Sequence, residues 1–157
     1  MENENIFLWV KAGIVGAVWA FSSAFGWMGW LILAWVGCMI ADYISGSAAA
    51  IKAGEWSSAA ARSGLWHKGG MILVVIVAAV ADGVLAIVVA NTSLPIQYTV
   101  LLLPVVVIWY ILTELGSMLE NATALGANVP AVLVKTLAAA KDKIDDLGDD
   151  QETADKE

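Results

Sequence analysis

Residues 71–90 read MILVVIVAAVADGVLAIVVA, a run of 20 residues in which Asp82 is the single charged side chain. An α-helix rises about 1.5 Å per residue, so a run of this length crosses a hydrocarbon core about 30 Å thick. Three further apolar runs cover residues 6–25, 28–44 and 98–118. The sequence therefore predicts an all-α integral membrane protein with four transmembrane helices.

The composition supports residence in a membrane. Hydrophobic residues make up 60% of the chain and charged residues 15%, against about 45–50% and about 25% in soluble domains. A backbone that crosses lipid must satisfy its own polar groups, and runs without strict alternation fit helices better than barrel strands. We expect residues 1–126 to form one helical bundle in the membrane.

The connections between the runs indicate how the helices are arranged. The link at residues 26–29 is too short for a loop, so the first two helices are expected to form a tight hairpin. The segment 45–70 is the longest polar connection, with short helices expected at 48–52 and 57–63 on either side of Gly54. The sequence thus predicts a hairpin followed by a loop that contains helices of its own.

Basic residues are concentrated in this middle connection. It carries Lys52, Arg62, His67 and Lys68 against Glu55 alone, whereas the first and third connections carry no lysine or arginine. Because cytoplasmic loops are enriched in lysine and arginine, the middle connection is expected to be cytoplasmic. Four crossings then place both termini in the cytoplasm.

A C-terminal amphipathic helix is predicted over residues 127–148. This helix can pack on the bundle or on the bilayer surface, or it can associate with a second copy. Residues 149–157 are expected to form a disordered acidic tail. Outside residues 141–157, which carry eight acids and three lysines, the chain is close to neutral and has no basic stripe, so nucleic-acid binding is not expected. The apolar residues of the helix recur at heptad spacing: Leu133, Leu137, Ala140, Ile144 and Leu147.

Three acids lie in or at the ends of the apolar runs. A carboxylate near the bilayer centre costs about 2.5–3.5 kcal/mol on insertion scales, so depth decides what each acid means. Asp82 is the deepest, and two roles are open for it: it can face water or a partner helix, for example as part of a pore lining, or it can be a protonated or hydrogen-bonded acid in an ordinary helix contact. Structural ion pairs are expected at the helix ends: Asp42 with Lys52 or Lys68, and Glu114 and Glu120 with Lys68 or Lys135.

Small residues recur at four-residue spacing in two of the runs. Gly37 and Ala41 form one such pair in the second run, and Ala79 and Gly83 form another in the third. Small residues at this spacing let helix backbones approach closely in lipid. The pattern predicts close helix packing, either within one chain or between copies.

The sequence contains no constellation typical of an enzyme. His67 is the sole histidine and Cys38 the sole cysteine, so neither a nucleophile–base pair nor a metal-ligand cluster can be recognised. No glycine-rich phosphate loop is present either. We therefore expect a non-enzymatic protein without a cofactor.

Two blocks of sequence resemble the toxin-secretion and phage-lysis holin family. The first block includes the stretch Asp42-Tyr43-Ile44-Ser45-Gly46, and the second includes Glu114-Leu115-Gly116-Ser117-Met118-Leu119-Glu120-Asn121-Ala122. Asp82 matches an acid that such proteins carry in the intervening helix. The residues that match the family pattern are Asp42, Tyr43, Gly46, Ser57, Ser58, Gly64, Lys68, Glu114, Ser117, Glu120, Asn121, Gly126 and Pro130.

The resemblance implies a small protein of the bacterial inner membrane. Many copies are expected to associate and form lesions through which an endolysin or a toxin leaves the cytoplasm. The expected partners are therefore copies of itself, membrane lipid and that cargo. The alternative is a scaffold or accessory subunit of a larger membrane assembly that forms no pore; a subunit of a small-solute transporter fits less well, because the two halves show no convincing repeat.

Overall fold

The computed structural model describes the backbone of residues 2–92 and 100–154, and the side chains of residues 6–92 and 100–146. Over these ranges the regular structure is helical, which confirms the predicted all-α class. Four of the helices found there are long and apolar enough to cross a membrane. The helices of the described residues are α1 (Glu2–Phe25), α2 (Trp27–Ala53), α3 (Ser58–Asn91), α4 (Leu102–Ala124) and α5 (Ala131–Ala154).

Helices α1 and α2 are joined by a single glycine. Gly26 has a φ of 59°, which a residue with a Cβ rarely adopts, and its carbonyl accepts a 3.1 Å hydrogen bond from the Gly29 amide. A Cβ on Gly29 would lie 3.0 Å from the Ser22 Cα, so the two backbones cross closely here. Within the described side chains, α1 is partly or fully buried only at Val18, Phe21 and Ser22. The tight connection is confirmed, but the two helices pack only next to their turn.

The polar connection predicted at residues 45–70 is much shorter in the structure. Helix α2 continues to Ala53, and Gly54 ends it in the left-handed conformation with a φ of 75°. Ser57 begins α3, because its hydroxyl oxygen accepts a 3.1 Å hydrogen bond from the Ala60 amide. The expected loop helices are therefore the last turns of α2 and the first turns of α3. The end of α2 and the start of α3 carry polar residues because they leave the membrane, and these polar residues resemble those of a loop.

Helix α4 lies at the centre of the bundle, where it packs against α2, α3 and α5. Val107 is fully buried, and Trp35 of α2 stacks on Tyr110 with ring centroids 5.9 Å apart. The span predicted from residue 98 begins at Leu102 in the structure, and residues 98–99 lie outside the described part of the chain. Pro104 is in the first turn, where its missing amide removes no helical hydrogen bond.

Helix α5 packs on α4 and runs back along it. Gly126, with a φ of 94°, allows the turn, and the Ala127 amide donates to the Ala122 carbonyl at 2.9 Å. The half-buried side chains of Leu137, Ala140 and Ile144 belong to the predicted apolar seam. The helix does not end at Gly148 but continues to Ala154, since one glycine costs a helix only about 1 kcal/mol. Residues 155–157 of the predicted tail lie outside the described residues.

Candidate functional site

Five side chains from three helices form a polar cluster where α2, α3 and α4 meet. Lys68 of α3 is its only cation in the described structure. The Lys68 Nζ donates to Asp42 Oδ2 at 3.0 Å, and to Glu114 Oε1 and Oε2 at 2.8 and 2.6 Å. The expected pairing of Asp42 and Glu114 with Lys68 is therefore present. The members of the polar cluster are Asp42, Ser45, Lys68, Glu114 and Asn121.

Asn121 closes the polar cluster on the side of α2. Its Nδ2 donates to Asp42 Oδ1 at 3.0 Å and to Ser45 Oγ at 3.1 Å. The Ser45 hydroxyl in turn donates to the Asp42 carbonyl at 3.0 Å. Gly46 lies beside this contact, and a Cβ on it would be 3.4 Å from Asn121 Nδ2. That distance is an ordinary van der Waals contact, so the Asn121 amide packs closely against α2 at this position.

Helical periodicity explains how distant residues contribute to one cluster. Asp42, Ser45 and Gly46 are three and four positions apart, so they share one face of α2. Glu114 and Asn121 are seven positions apart and likewise share one face of α4. The two resembling sequence blocks, about 70 residues apart along the chain, therefore meet through these two faces. Lys68 joins them from the third helix.

The polar cluster is largely shielded, and its formal charges do not balance. The side chains of Glu114, Lys68 and Asp42 are only 4%, 13% and 18% exposed. One ammonium against two ionised carboxylates leaves a formal charge of −1. Burying an unpaired carboxylate costs free energy, so Lys68 is the residue that makes the burial of the two acids tolerable. The arrangement holds three helices together by charge-assisted hydrogen bonds.

Asp82 occupies a second polar site, at the start of α4. Its Oδ1 accepts hydrogen bonds from the Leu101 and Leu102 amides at 3.3 and 3.0 Å, and its Oδ2 accepts from the Leu103 amide at 2.7 Å. The residue is only 2% exposed. The carboxylate thus caps the positive end of the α4 dipole from a neighbouring helix. Of the two roles predicted for Asp82, this geometry fits helix contact; pore lining stays a prediction.

Several motif residues form helix ends close to the polar cluster. Lys52 does not pair with Asp42; its Nζ donates to the Ala124 carbonyl at 3.1 Å, at the end of α4. Next to it, a Cβ on Gly126 would lie 3.3 Å from that Nζ. Pro130 precedes α5, and its carbonyl accepts a 3.0 Å hydrogen bond from the Leu133 amide. These residues shape the turns that bring α5 back onto α4.

The remaining motif residues line two open cavities. A cavity of about 240 Å³ between α2 and α3 is lined by Tyr43, Ser57 and Gly64 among others, and Ser58 is the first residue of α3. A groove of about 800 Å³ between α4 and α5 is lined in part by Ser117 and Glu120. Within the described side chains, Glu120 makes no ion pair with Lys68 or Lys135, so that prediction is wrong.

Within the described residues, the glycines of the small-residue pairs do not pack against another helix. A Cβ on Gly37 or on Gly83 would meet no heavy atom of the described structure within 4 Å, and Ala79 is exposed. The same open space surrounds Gly13 and Gly16 in α1. Ala41 is partly buried. These glycines therefore do not provide close packing within one chain. Packing between copies stays a prediction.

One contact between α4 and α5, outside the polar cluster, was not predicted from the sequence. Trp109 Nε1 donates to Asp145 Oδ1 at 2.7 Å, and Lys141 Nζ lies 4.3 Å from the centre of the Trp109 ring. Both partners come from the charged face of α5, which amphipathic spacing assigns to solvent. The sequence does contain a hint of this contact. Trp109 lies in the last apolar run, and the amphipathic helix predicted after that run can fold back onto it. Over the described residues, no group of acids, histidines and cysteines could hold a metal ion.

Comparison with known proteins places this arrangement in a family. The sequence model of the bacteriophage holin family matches residues 19–142. Uncharacterised proteins of Listeria innocua and Listeria monocytogenes are each 32% identical over 148 residues, covering 94% of this chain and 96% of each relative. An uncharacterised 14.9 kDa protein in the nagH 3′ region of Clostridium perfringens is 28% identical over 140 residues, covering 89% of this chain and 98% of that protein. No solved structure matches the chain.

Proposed function

Because the chain belongs to the bacteriophage holin family, whose members are non-enzymatic multi-span membrane proteins, we propose that it acts as a pore former. Many copies associate in the bacterial inner membrane and form lesions that release an endolysin or a toxin. The partners of the protein are other copies of the same chain, membrane lipid and this cargo. The basic residues at the ends of α2 and α3 favour a cytoplasmic position for that connection and for both termini.

The observation that supports association most directly is the open space around the small-residue pairs. A Cβ added to Gly37 or Gly83 would have no neighbour among the described residues within 4 Å, although both glycines lie on helices long enough to cross the membrane. In lipid, helices associate through close backbone packing at such residues. Faces that the single chain leaves empty are thus available to other copies.

The polar cluster supports the same proposal in a different way. It joins α2, α3 and α4 at one end of the bundle, so each copy can act as a rigid unit while its other faces remain free. Helix α1 is consistent with this division, because within the described residues it contacts α2 alone and its apolar side chains are exposed. A rigid unit with free apolar faces is suited to assembly in the membrane plane.

The first experiment is expression in a bacterium, combined with sizing of the protein in mild detergent. We expect growth to stop abruptly, the membrane potential to collapse and a co-expressed endolysin to reach the cell wall. The purified protein should elute as a multimer. A protein that stays monomeric in cells that keep their potential contradicts the proposal. Harmless expression together with one defined cross-linked partner supports the scaffold alternative instead.

A set of glycine variants tests where copies meet. Gly37→Leu and Gly83→Leu place a bulky side chain on the open faces and are expected to abolish or delay lysis and to shift the multimer towards monomer. Leucine is the better helix former, so helix loss does not explain such a result. Gly70→Leu is the matched control, because its site is equally open but points about 140° away from Gly83 around α3.

A further inference from the structure

We infer that α4 begins near the middle of the bilayer, where Asp82 of α3 holds its first turn. This goes beyond the pore-forming proposal and holds for the single chain. It rests on two contacts that join α4 to α3, one at each end of the buried part of α4.

The depth of a residue in the bilayer can be counted along helix α3. Residues 83–90 read GVLAIVVA and contain no polar side chain, and Val84 and Ile87 are 53% and 65% exposed, so this segment lies in lipid. Asn91 is then at the outer boundary of the hydrocarbon. A core about 30 Å thick takes about 20 residues of helix and ends near Met71. Asp82 lies nine residues inside Asn91, about 14 Å deep and close to the middle.

Two contacts between α4 and α3 fix the depth of α4 relative to α3. Its first turn binds Asp82, and twelve residues later Glu114 binds Lys68. The rise from Leu102 to Glu114 is about 18 Å, and the rise from Asp82 back to Lys68 is about 21 Å. The two lengths agree to about 3 Å, so α4 runs alongside α3 from mid-depth to the cytoplasmic boundary. The apolar part of α4, residues 102–112, covers only about half of the hydrocarbon.

The chemistry of a helix start explains why an acid lies in the most apolar run. The first amides of a helix have no acceptor within the helix, and lipid offers no water to replace it. The Asp82 carboxylate accepts three consecutive amides, and its charge interacts favourably with the positive end of the helix dipole. A helix that begins at the outer surface needs no such partner, because water satisfies its amides.

Depth measurement tests this inference. Single cysteines replace Leu102, Val80 and Ile87 in a Cys38→Ser background, carry a nitroxide label and are studied in phosphatidylcholine–phosphatidylglycerol vesicles. Relative accessibility to oxygen and to a water-soluble nickel chelate reports the depth of each label. Because Leu102 is expected at the level of Asp82, we expect the label at 102 to lie within about 3 Å of the depth of the label at 80, and about 7.5 Å deeper than the label at 87. A label at 102 closer in depth to 87 than to 80 overturns the inference.

Variants of Asp82 test the tether itself. In the Leu102→Cys protein, Asp82→Leu removes the acceptors and is expected to move the label towards the outer surface, while Asp82→Asn, which keeps one oxygen, moves it less. Val80→Leu is the control, because it lies on the exposed side of the same helix. Far-UV circular dichroism confirms that each variant remains helical. If Asp82→Leu is helical and leaves the depth at 102 unchanged, Asp82 does not hold the helix start.

Discussion

The strongest energetic prediction concerns Lys68, the cation of the polar cluster. Replacing it with methionine keeps the length of the side chain and removes the ammonium that binds Asp42 and Glu114 at 2.6–3.0 Å. Two shielded carboxylates are then left without their cation. Loss of one partner of a buried pair costs about 3–5 kcal/mol, and the partial exposure of Asp42 favours the lower end. We therefore expect Lys68→Met to lower the free energy of unfolding by about 3 kcal/mol.

The acids of the cluster are expected to respond differently from the lysine. Glu114→Gln brings the formal charge of the cluster from −1 to 0, and the amide oxygen still accepts from Lys68. Its cost is expected to stay near 1 kcal/mol, about the net value of one hydrogen bond. In a Lys68→Met background, Glu114→Gln removes one of the two carboxylate charges that have lost their cation. The double variant should therefore be more stable than Lys68→Met alone.

The measurement is reversible unfolding in mixed micelles, followed by the circular dichroism signal as the denaturing detergent is increased. Lys135→Met is the matched control, because that lysine is exposed on α5 and no ion pair joins it to another described residue. Its effect should remain within about 0.5 kcal/mol. If Lys68→Met costs no more than Glu114→Gln, the lysine does not stabilise the two acids and the reasoning about the cluster fails.

Three smaller predictions concern contacts outside the polar cluster. Gly29→Val should destabilise the tight connection between α1 and α2 by about 1–3 kcal/mol, since a Cβ there meets the Ser22 backbone at 3.0 Å. An unchanged unfolding midpoint would show that the two helices can move apart at this point. Trp109→Phe removes the donor to Asp145 and should speed hydrogen exchange in α5 while α4 is unaffected; equal protection in both proteins would contradict a fixed α5. Ser57→Ala removes the cap of α3 and should cost about 1 kcal/mol, whereas Ser57→Asp should retain stability, which thermal unfolding can compare.

The membrane helices could be predicted because their signal is local. A run such as residues 71–90 is too apolar to remain in water, whatever it packs against, and lipid leaves a helix as the way to satisfy its backbone. The extent of the helices was less predictable. Hydropathy reports which residues meet lipid, but a helix does not end where it leaves the membrane. Hydropathy therefore predicts a loop where the structure has the end of α2 and the start of α3.

The polar cluster was predictable in part. Opposite charges at the ends of neighbouring runs indicated that Asp42 pairs with Lys52 or Lys68 and Glu114 with Lys68 or Lys135, and in the structure both acids pair with Lys68. The choice of Lys68 over Lys52 depends on the rotation of α2 and α3 about their axes, because Lys52 ends beside the last turn of α4 instead. Asn121 likewise reaches Asp42 only because α2 and α4 pack closely with these two faces turned towards each other.

By itself, the amino-acid sequence determined that this protein is helical, that it resides in a membrane and which family it resembles, because these properties follow from the chemistry of short segments. Only the tertiary structure decided that Asp82 caps another helix, that Lys68 joins two acids and that Trp109 holds α5. Each of those contacts joins residues that are far apart along the chain. Their formation depends on the distance, height and rotation of whole helices, which a one-dimensional pattern does not record.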